Sequence, residues 1–244
     1  MNGLTAADFA DTGQWRLILK IFPSGMSAHL ENTIHTDLEP QLLFSTQWEV
    51  DGANLLRNIE NAVYDHPRVL DDFSARIIIY ERKVLFMPTE LIEETEGAEE
   101  SYYTSVFDAE SADVMTDTDR DITVAYAPAP GLRGFLSRTF PGARIGCNLM
   151  DVLRKHRDSG EGTRLAVTVR EEEADYVLLD GRNLVSASTH GWSAPADIIY
   201  HAFNIMEVYG VSHSETAVVL SGDPLPEDTV AFFDKFCANI EIKS

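Results

Sequence analysis

The sequence predicts an α/β protein made of two lobes, each a mixed β-sheet with flanking helices. Between Arg164 and Asp223, three strand-like runs are followed by a helical run and a short apolar strand, and the first third of the chain repeats this order. A hairpin and third strand, followed by alternating helix and strand, are typical of a mixed sheet covered by helices. The polar stretch 158–163 (DSGEGT) is typical of a linker. We therefore predict lobes at residues 15–157 and 164–244, with a ligand cleft between them.

The first lobe begins, after an expected loose arm at residues 1–14, with a pair of strands. Pro23-Ser24-Gly25 predicts the turn that joins them in a hairpin. After Asp51-Gly52, apolar residues at helical spacing predict a helix that ends before Pro67. The strands of this region are expected at 16–22 (RLILKIF), 26–30, 41–45, 75–80 (ARIIIY) and 83–87.

The rest of the first lobe is less regular. The stretch 93–100 (EETEGAEE) is too charged to bury and predicts a solvated loop or a frayed helix end. A strand is expected at 102–107, an acidic loop at 113–121 and another strand at 122–127. Helices are expected at 132–138, with Leu132, Phe135 and Leu136 facing inward, and at 149–156.

The second lobe has clearer turn signals. Asp180-Gly181 predicts a tight hairpin turn because such a turn needs positive φ, and Gly210 is placed to end a helix. The expected strands are 165–170, 175–179, 184–189, 217–220 and 240–242, and the expected helices are 195–209 and 230–237.

Composition excludes several classes of function. The net charge is −21, from 40 acidic and 19 basic residues, and such a surface repels nucleic acid and anionic membranes while leaving a basic protein partner open. No run approaches the roughly 20 apolar residues of a membrane helix, and residues 1–14 lack the apolar core of a signal peptide. We predict a cytoplasmic protein. Cys147 and Cys237 lack a CxxC partner, which argues against a metal cluster, and a pairing between them stays open.

Catalytic and metal motifs are missing from the sequence. It contains neither G-x-x-x-x-G-K-[ST] nor G-x-G-x-x-G, and Ser221 lacks the G-x-S-x-G frame of a nucleophile elbow. Residues 117–121 (DTDRD) begin like a calcium loop, but Ile122 and Pro128 stand where glycine and glutamate are required. We interpret this stretch as a solvated acidic loop and predict no cofactor and no metal.

Histidines offer one further candidate site. His190-Gly191-Trp192 follows the third strand of the second lobe, where it would line a ligand site or form a packed tryptophan with a hydrogen-bonded histidine; we favour the second interpretation. His201 and His213 have no partner at metal-ligand spacing.

Residues 174–223 resemble a known bacterial family. The matching features are the "DG-x-L" turn, the small polar stretch before "DIIYH" and the strand end "VVLSGD"; "LILKIFPSGMSAHL" and "KVLFMPTELI" match in the front half. That family is grouped with the actin-like, sugar-kinase and Hsp70 ATPases and has no established activity. The resemblance implies two RNase H-like lobes.

The resemblance also implies where ATP would bind. Active members hold phosphates with two turns, the first led by an aspartate, but here the first turn (22–25, FPSG) has no aspartate and the second (171–174, EEEA) has three carboxylates. The turn on the adenosine side, which ends in glycines in active members, is matched by residues 220–222 (LSG). Candidate cofactor contacts in the cleft are therefore Ser24, Gly25, Ser221 and Gly222. Strand 17–22 also lacks the carboxylates that an RNase H-type nuclease needs for its metals.

These observations predict a non-catalytic protein with a degenerate actin-like ATPase fold that acts through an unidentified protein partner. The alternative is a nucleotide-binding ATPase or kinase-like enzyme with atypical phosphate loops.

Overall fold

The computed structural model describes residues 12–93, 95–108, 113–222, 224–237 and 239–243. The chain divides into two compact units, Met1–Cys147 and Asn148–Ser244, called the first and second unit below. The arm expected at residues 1–14 lies mostly outside the described residues.

The elements of the first unit are β1 (Trp15–Phe22), β2 (Gly25–Asn32), β3 (Gln41–Gln47), α1 (Leu55–Asp65), β4 (Ser74–Ile79), β5 (Val84–Pro88), α2 (Thr89–Glu93), α3 (Ala98–Phe107), β6 (Met115–Asp119), β7 (Ile122–Tyr126), α4 (Leu132–Thr139) and β8 (Arg144–Cys147). Those of the second unit are α5 (Asn148–Arg157), β9 (Thr163–Val169), β10 (Glu173–Asp180), β11 (Asn183–Gly191), α6 (Pro195–Val208), β12 (Ala217–Gly222), α7 (Glu227–Phe236) and β13 (Asn239–Lys243). Leu132, Phe135 and Leu136 are buried as predicted.

The main sheet of the first unit has the strand order β3-β2-β1-β4-β8. β1 pairs antiparallel with β2 and parallel with β4, so the predicted hairpin and mixed sheet are confirmed. The central strands β1 and β4 carry consecutive buried residues, such as Ile77, Ile78 and Ile79, because both faces of a central strand are covered.

The sheet of the second unit has the equivalent order, β11-β10-β9-β12-β13, with the same antiparallel and parallel pairings. Gly181 has φ +56°, as the predicted Asp-Gly turn requires. One continuous core includes Leu165, Val167, Tyr176, Ile198 and Phe233. The duplication itself remains a prediction, since the two units share strand order and not sequence.

A third, smaller sheet, β5-β7-β6, is covered by α2 and α3. The strand predicted at 102–107 is wrong, because these residues form most of α3. Their aromatic and β-branched side chains favour a strand locally. The tertiary contacts favour a helix: the Tyr103 and Phe107 rings, one helical turn apart, are 4.7 Å apart between centroids and pack on the core of this sheet.

The acidic loop predicted at 113–121 is also wrong, because it contains the edge strand β6. β6 pairs antiparallel with β7, and Arg120 (φ +57°) lies in the connecting turn. Alternate residues of β6 face solvent, so a strand this polar is stable at the edge of a sheet. The hydroxyls of Thr118 and Thr123 share a hydrogen bond of 2.9 Å across the pair.

Two features near the unit boundary are not predicted from sequence. β8 is only four residues long and contains Gly146, so its strand signal is weak. Helix α5 contacts β9, β10 and β11 and lies in the second unit, an assignment that the local pattern does not give. The lobe bounds 15–157 and 164–244 stay a prediction. Cys147 and Cys237 are each buried free thiols.

Candidate functional site

The two turns expected to hold phosphate are both two-residue hairpin turns. In the first unit, Pro23 and Ser24 connect β1 to β2, with Phe22 paired to Gly25. In the second unit, Glu171 and Glu172 form the tip between β9 and β10. The backbone N–H of Arg170 donates to the carbonyl of Glu173 (2.8 Å) and closes that turn.

A tryptophan holds the turn of the first unit from the end of β3. The backbone N–H of Trp48 donates to the carbonyl of Ser24 (2.9 Å), and its indole Nε1–H donates to the carbonyl of Pro23 (2.9 Å). Both carbonyls of the turn therefore have donors from the same residue, which fixes the conformation of the turn.

Trp192 takes the same place in the second unit, directly after β11. Its backbone N–H donates to the carbonyl of Glu172 (3.0 Å), and its Nε1–H donates to the carbonyl of Arg170 (2.8 Å). The packed interpretation of Trp192 is the one that this geometry favours. The signal that would have identified Trp48 as its counterpart is a tryptophan following the third strand of each unit.

The base of the second turn carries an ion network. The guanidinium of Arg170 donates through Nη1 to Oδ2 of Asp175 and through Nη2 to Oε2 of Glu173 (2.8 Å). Arg170 and Glu173 are largely buried at their side chains, and Asp175 is almost fully buried. The positive charge nearest this turn is thus paired with two carboxylates of its own hairpin.

The other oxygen of Asp175 is also engaged. Oδ1 accepts hydrogen bonds from Nδ2 of Asn148 (2.8 Å) and from Oγ1 of Thr189 (2.6 Å). Burial raises the pKa of Asp175, while the charge of Arg170 and the hydrogen bonds from Thr189, Arg170 and Asn148 oppose that shift. This carboxylate ties α5, the second turn and β11 together, and its burial leaves it no access to a substrate.

Sequence reasoning missed Asp175 and Asn148. A signal for the first was present: an acidic residue stands inside the apolar run 174–179 (ADYVLL) of β10. A carboxylate in such a run is seldom buried unless it is paired.

The two predicted site residues of the first unit lie together in the β1–β2 turn. Ser24 offers its carbonyl to Trp48. A Cβ on Gly25 would lie 2.6 Å from the carbonyl oxygen of Thr46 on β3, so the pairing with β3 requires glycine here. The sheet therefore accounts for this glycine without a ligand, and its role as a cofactor contact stays a prediction.

The two predicted site residues of the second unit lie at the end of β12. The hydroxyls of Ser221, which is buried, and Thr168 share a hydrogen bond of 3.1 Å. Gly222 has φ +118°, and a Cβ there would lie 1.9 Å from the carbonyl oxygen of Val169. Close approach of β9 explains this glycine, and the predicted cofactor role of the pair stays untested.

Two histidines of the second unit, His190 and His201, pack on each other. The rings of His190 and His201 are stacked, with centroids 4.1 Å apart and an interplanar angle of 8°. Nε2 of His190 is 3.1 Å from Oγ of Ser188. Burial, and secondarily the charge of His201, lowers the pKa of His190. Among the described residues, no three His, Cys, Asp or Glu side chains are grouped to hold a metal ion.

His156 on α5 is buried, and its pKa is strongly lowered. Burial, followed by the charges of Lys243, Lys155 and Arg164 and offset by Glu241, lowers the pKa of His156 to about 4. Its Nδ1 is buried without a hydrogen-bond partner in the described structure. The folded state therefore holds this imidazole neutral.

We expect the contribution of His156 to the free energy of unfolding to fall by about 1–2 kcal/mol as the pH drops from 7 to 5. A histidine in the unfolded chain binds its proton near pH 6.5, whereas folded His156 binds it only near pH 4. As the pH falls, the histidine of the unfolded chain therefore binds its proton first. The contribution of His156 to stability is intact above pH 6.5 and is lost below it. Urea unfolding at both pH values should show the loss in the native chain and less of it in His156→Leu. The exposed His35→Leu should behave as the native chain; equal losses in all three would contradict this account.

The helices within the described residues are all too short or too polar to span a bilayer. No curated protein matches the chain by sequence.

Solved structures share this architecture. A Bacteroides thetaiotaomicron VPI-5482 protein with actin-like ATPase fold and unknown function aligns over 99% of this chain and 94% of its own, with a TM-score of 0.78 and 17% identity. PilM in the PilM–PilN type IV pilus biogenesis complex aligns over 94% of this chain and 88% of that chain, with a TM-score of 0.56 and 12% identity. The fold is that of the actin-like ATPases, with two RNase H-like lobes, each a mixed sheet with flanking helices. The chain belongs to the DUF3822 family of proteins of unknown function, whose model matches residues 6–236. Both the resemblance and the fold class predicted from sequence are confirmed.

Proposed function

We propose that this chain is a non-catalytic member of the actin-like fold that acts in the cytoplasm by binding another protein. The observation that carries the proposal is the state of the second turn. Arg170 is paired with Asp175 and Glu173, while Glu171 and Glu172 are exposed at the tip. A phosphate approaching this turn meets carboxylates before it meets a positive charge.

Electrostatics opposes a nucleotide at such a turn. Each pair of like unit charges at ~4 Å costs on the order of 1 kcal/mol even in water, and more where water is excluded. A bound triphosphate would also need donors from the turn and a residue to position its magnesium ion. The first turn, Phe22 to Gly25, has no carboxylate to do so.

Two further facts support a protein partner. PilM shares this fold, and its structure was solved in complex with the protein PilN. A protein with this fold therefore binds another protein in that complex. The net charge of −21 favours partners with basic surfaces, since charge complementarity speeds association and disfavours acidic partners.

We expect no thermal stabilisation of the full chain by millimolar Mg-ATP or Mg-ADP. A ligand present at ~100 times its dissociation constant adds about 2.7 kcal/mol, which for a chain of this size corresponds to about 5–10 °C in Tm. Differential scanning fluorimetry measures the shift, with an ATP-binding actin-like ATPase in the same buffer as the positive control. A shift of several degrees with both nucleotides would overturn the proposal and favour the alternative, an ATPase or kinase-like enzyme with atypical phosphate loops.

A further inference from the structure

The small sheet of the first unit supports an exposed helical layer. The core beneath α2 and α3 consists of Met87, Tyr103 and Ala125, with Ile92 and Phe107 packed against it. The Tyr103 hydroxyl also donates to the carbonyl of Lys83 (3.1 Å), which anchors α3 to the segment before β5. The inward face of α3 therefore packs against the small sheet of its own unit.

A second face of α3 is apolar and has no cover within the described unit. Tyr102 and Val106 are one helical turn apart and are 45% and 59% exposed. Leu91, on the adjoining helix α2, is 43% exposed. We call these three residues the α2–α3 surface. Because α2 and α3 contact each other, these three exposed side chains form a candidate interaction surface.

The charge of the surrounding segment defines what can bind there. Residues 84–119 contain eleven Asp and Glu and no Lys, Arg or His, which is about half of the net charge of −21. Among them, Glu90 and Glu100 are exposed on the same two helices. Glu99 lies one helical turn before Tyr102 on α3. A segment this acidic around exposed apolar side chains repels acidic segments, nucleic acid and anionic lipid.

We propose that the α2–α3 surface binds a basic amphipathic helix of a partner protein. Apolar residues at i, i+3 or i+4 of that helix contact Tyr102, Val106 and Leu91, and its Lys and Arg residues face the glutamates. A second copy of this chain is a poor occupant because both copies carry a net charge of −21 and would place the same acidic segment at the contact. This inference rests on the proposed function and names the chemistry of the partner.

The dimensions of α3 set the length of the partner segment. Its ten residues span about 15 Å, so a partner helix of roughly 10–14 residues covers the surface. The contact is smaller than a permanent interface and fits a transient, salt-sensitive complex.

The test uses the full chain and a labelled 14-residue peptide of leucine and lysine with leucines on one helical face. Fluorescence anisotropy measures its affinity, together with that of a scrambled peptide of the same composition. We expect the amphipathic peptide to bind at least about tenfold more tightly than the scrambled one, because only the first presents apolar anchors together. Equal affinities, or no binding of the amphipathic peptide at millimolar concentration, would overturn the inference.

Variants locate the site. Tyr102→Ser with Val106→Ser should weaken binding about tenfold or more at every salt concentration. Tyr200→Ser with Val208→Ser is the matched control, since it removes the same residue types from α6, where they are 64% and 68% exposed. Glu99→Gln with Glu100→Gln should weaken binding a few-fold and reduce its salt dependence. An unchanged affinity in the Tyr102/Val106 variant would overturn the inference.

A capture experiment separates this inference from the proposed function. The native chain and the Tyr102/Val106 variant are immobilised and exposed to the same cell extract. If both retain the same protein at the same level, the α2–α3 surface is not the docking site and the proposed function stands. If neither retains any protein reproducibly, the proposed function fails and this inference fails with it.

Discussion

Asp175→Asn should lower the free energy of unfolding by about 3 kcal/mol, the largest effect we expect from a single isosteric change. The carboxylate accepts hydrogen bonds at both oxygens and pairs with Arg170 in a buried site. The amide keeps the volume, so the loss comes from an uncompensated guanidinium and from an N–H₂ group that faces donors. Arg170 keeps Glu173 as a partner, which places the loss at the lower end of the range for broken buried pairs.

Urea unfolding followed by far-UV circular dichroism measures this loss. The matched control is Asp180→Asn, an exposed aspartate at the far end of the same strand, which should change stability by less than about 0.5 kcal/mol. If the two variants lose the same amount, the network around Asp175 does not stabilise the second turn. The pairing of Arg170 with Asp175, on which the proposed function rests, would then lose support.

Gly222→Ala should destabilise the chain by about 3 kcal/mol or more. The added Cβ would lie 1.9 Å from the carbonyl oxygen of Val169, and the φ of +118° is unfavourable for any residue with a side chain. Relief requires β12 to move away from β9, which breaks the parallel pairing at their ends.

Gly210→Ala is the control for backbone strain alone. Gly210 has φ +66°, and a Cβ added there would have no atom within 4 Å, so alanine should cost only about 1 kcal/mol. Thermal unfolding of the two variants measures the difference. If Gly222→Ala lowers the stability no more than Gly210→Ala does, close packing does not explain Gly222. That result would favour a ligand contact as the reason for this glycine.

The two glycines predicted as cofactor contacts illustrate the limits of turn motifs. Gly25 and Gly222 are candidates because glycine-rich turns hold phosphate in related folds. Each also lies where a neighbouring strand leaves no room for a Cβ. From sequence alone these two reasons look the same, since both produce glycine at the end of a strand. The structure supplies the packing reason, and only a ligand-binding experiment tests the other.

For the acidic residues 93–100 and the helix that follows, the charge pattern predicts exposure but not secondary structure. The charge of this segment suffices to exclude burial, and Glu93, Glu96 and Glu100 are exposed. The secondary structure of the segment depends on contacts that the local pattern does not contain. From the local pattern, Tyr103 and Phe107 predict a strand. In the folded chain they lie on a helix because they pack on the core formed with Met87 and Ala125.

Local sequence is enough to predict the order of the main strands, the hairpin turn at Gly181, the inward face of α4 and the lack of the usual phosphate-loop motifs. These features depend on neighbours a few residues away, so periodicity and turn chemistry identify them. Three other features emerge only when the chain is folded: the helix at residues 102–107, the hydrogen bond from Asn148 to Asp175, and the hydrogen bonds by which Trp48 and Trp192 hold the two turns. They depend on groups brought together from distant positions, as with Asn148 and Asp175, and no local pattern encodes that proximity.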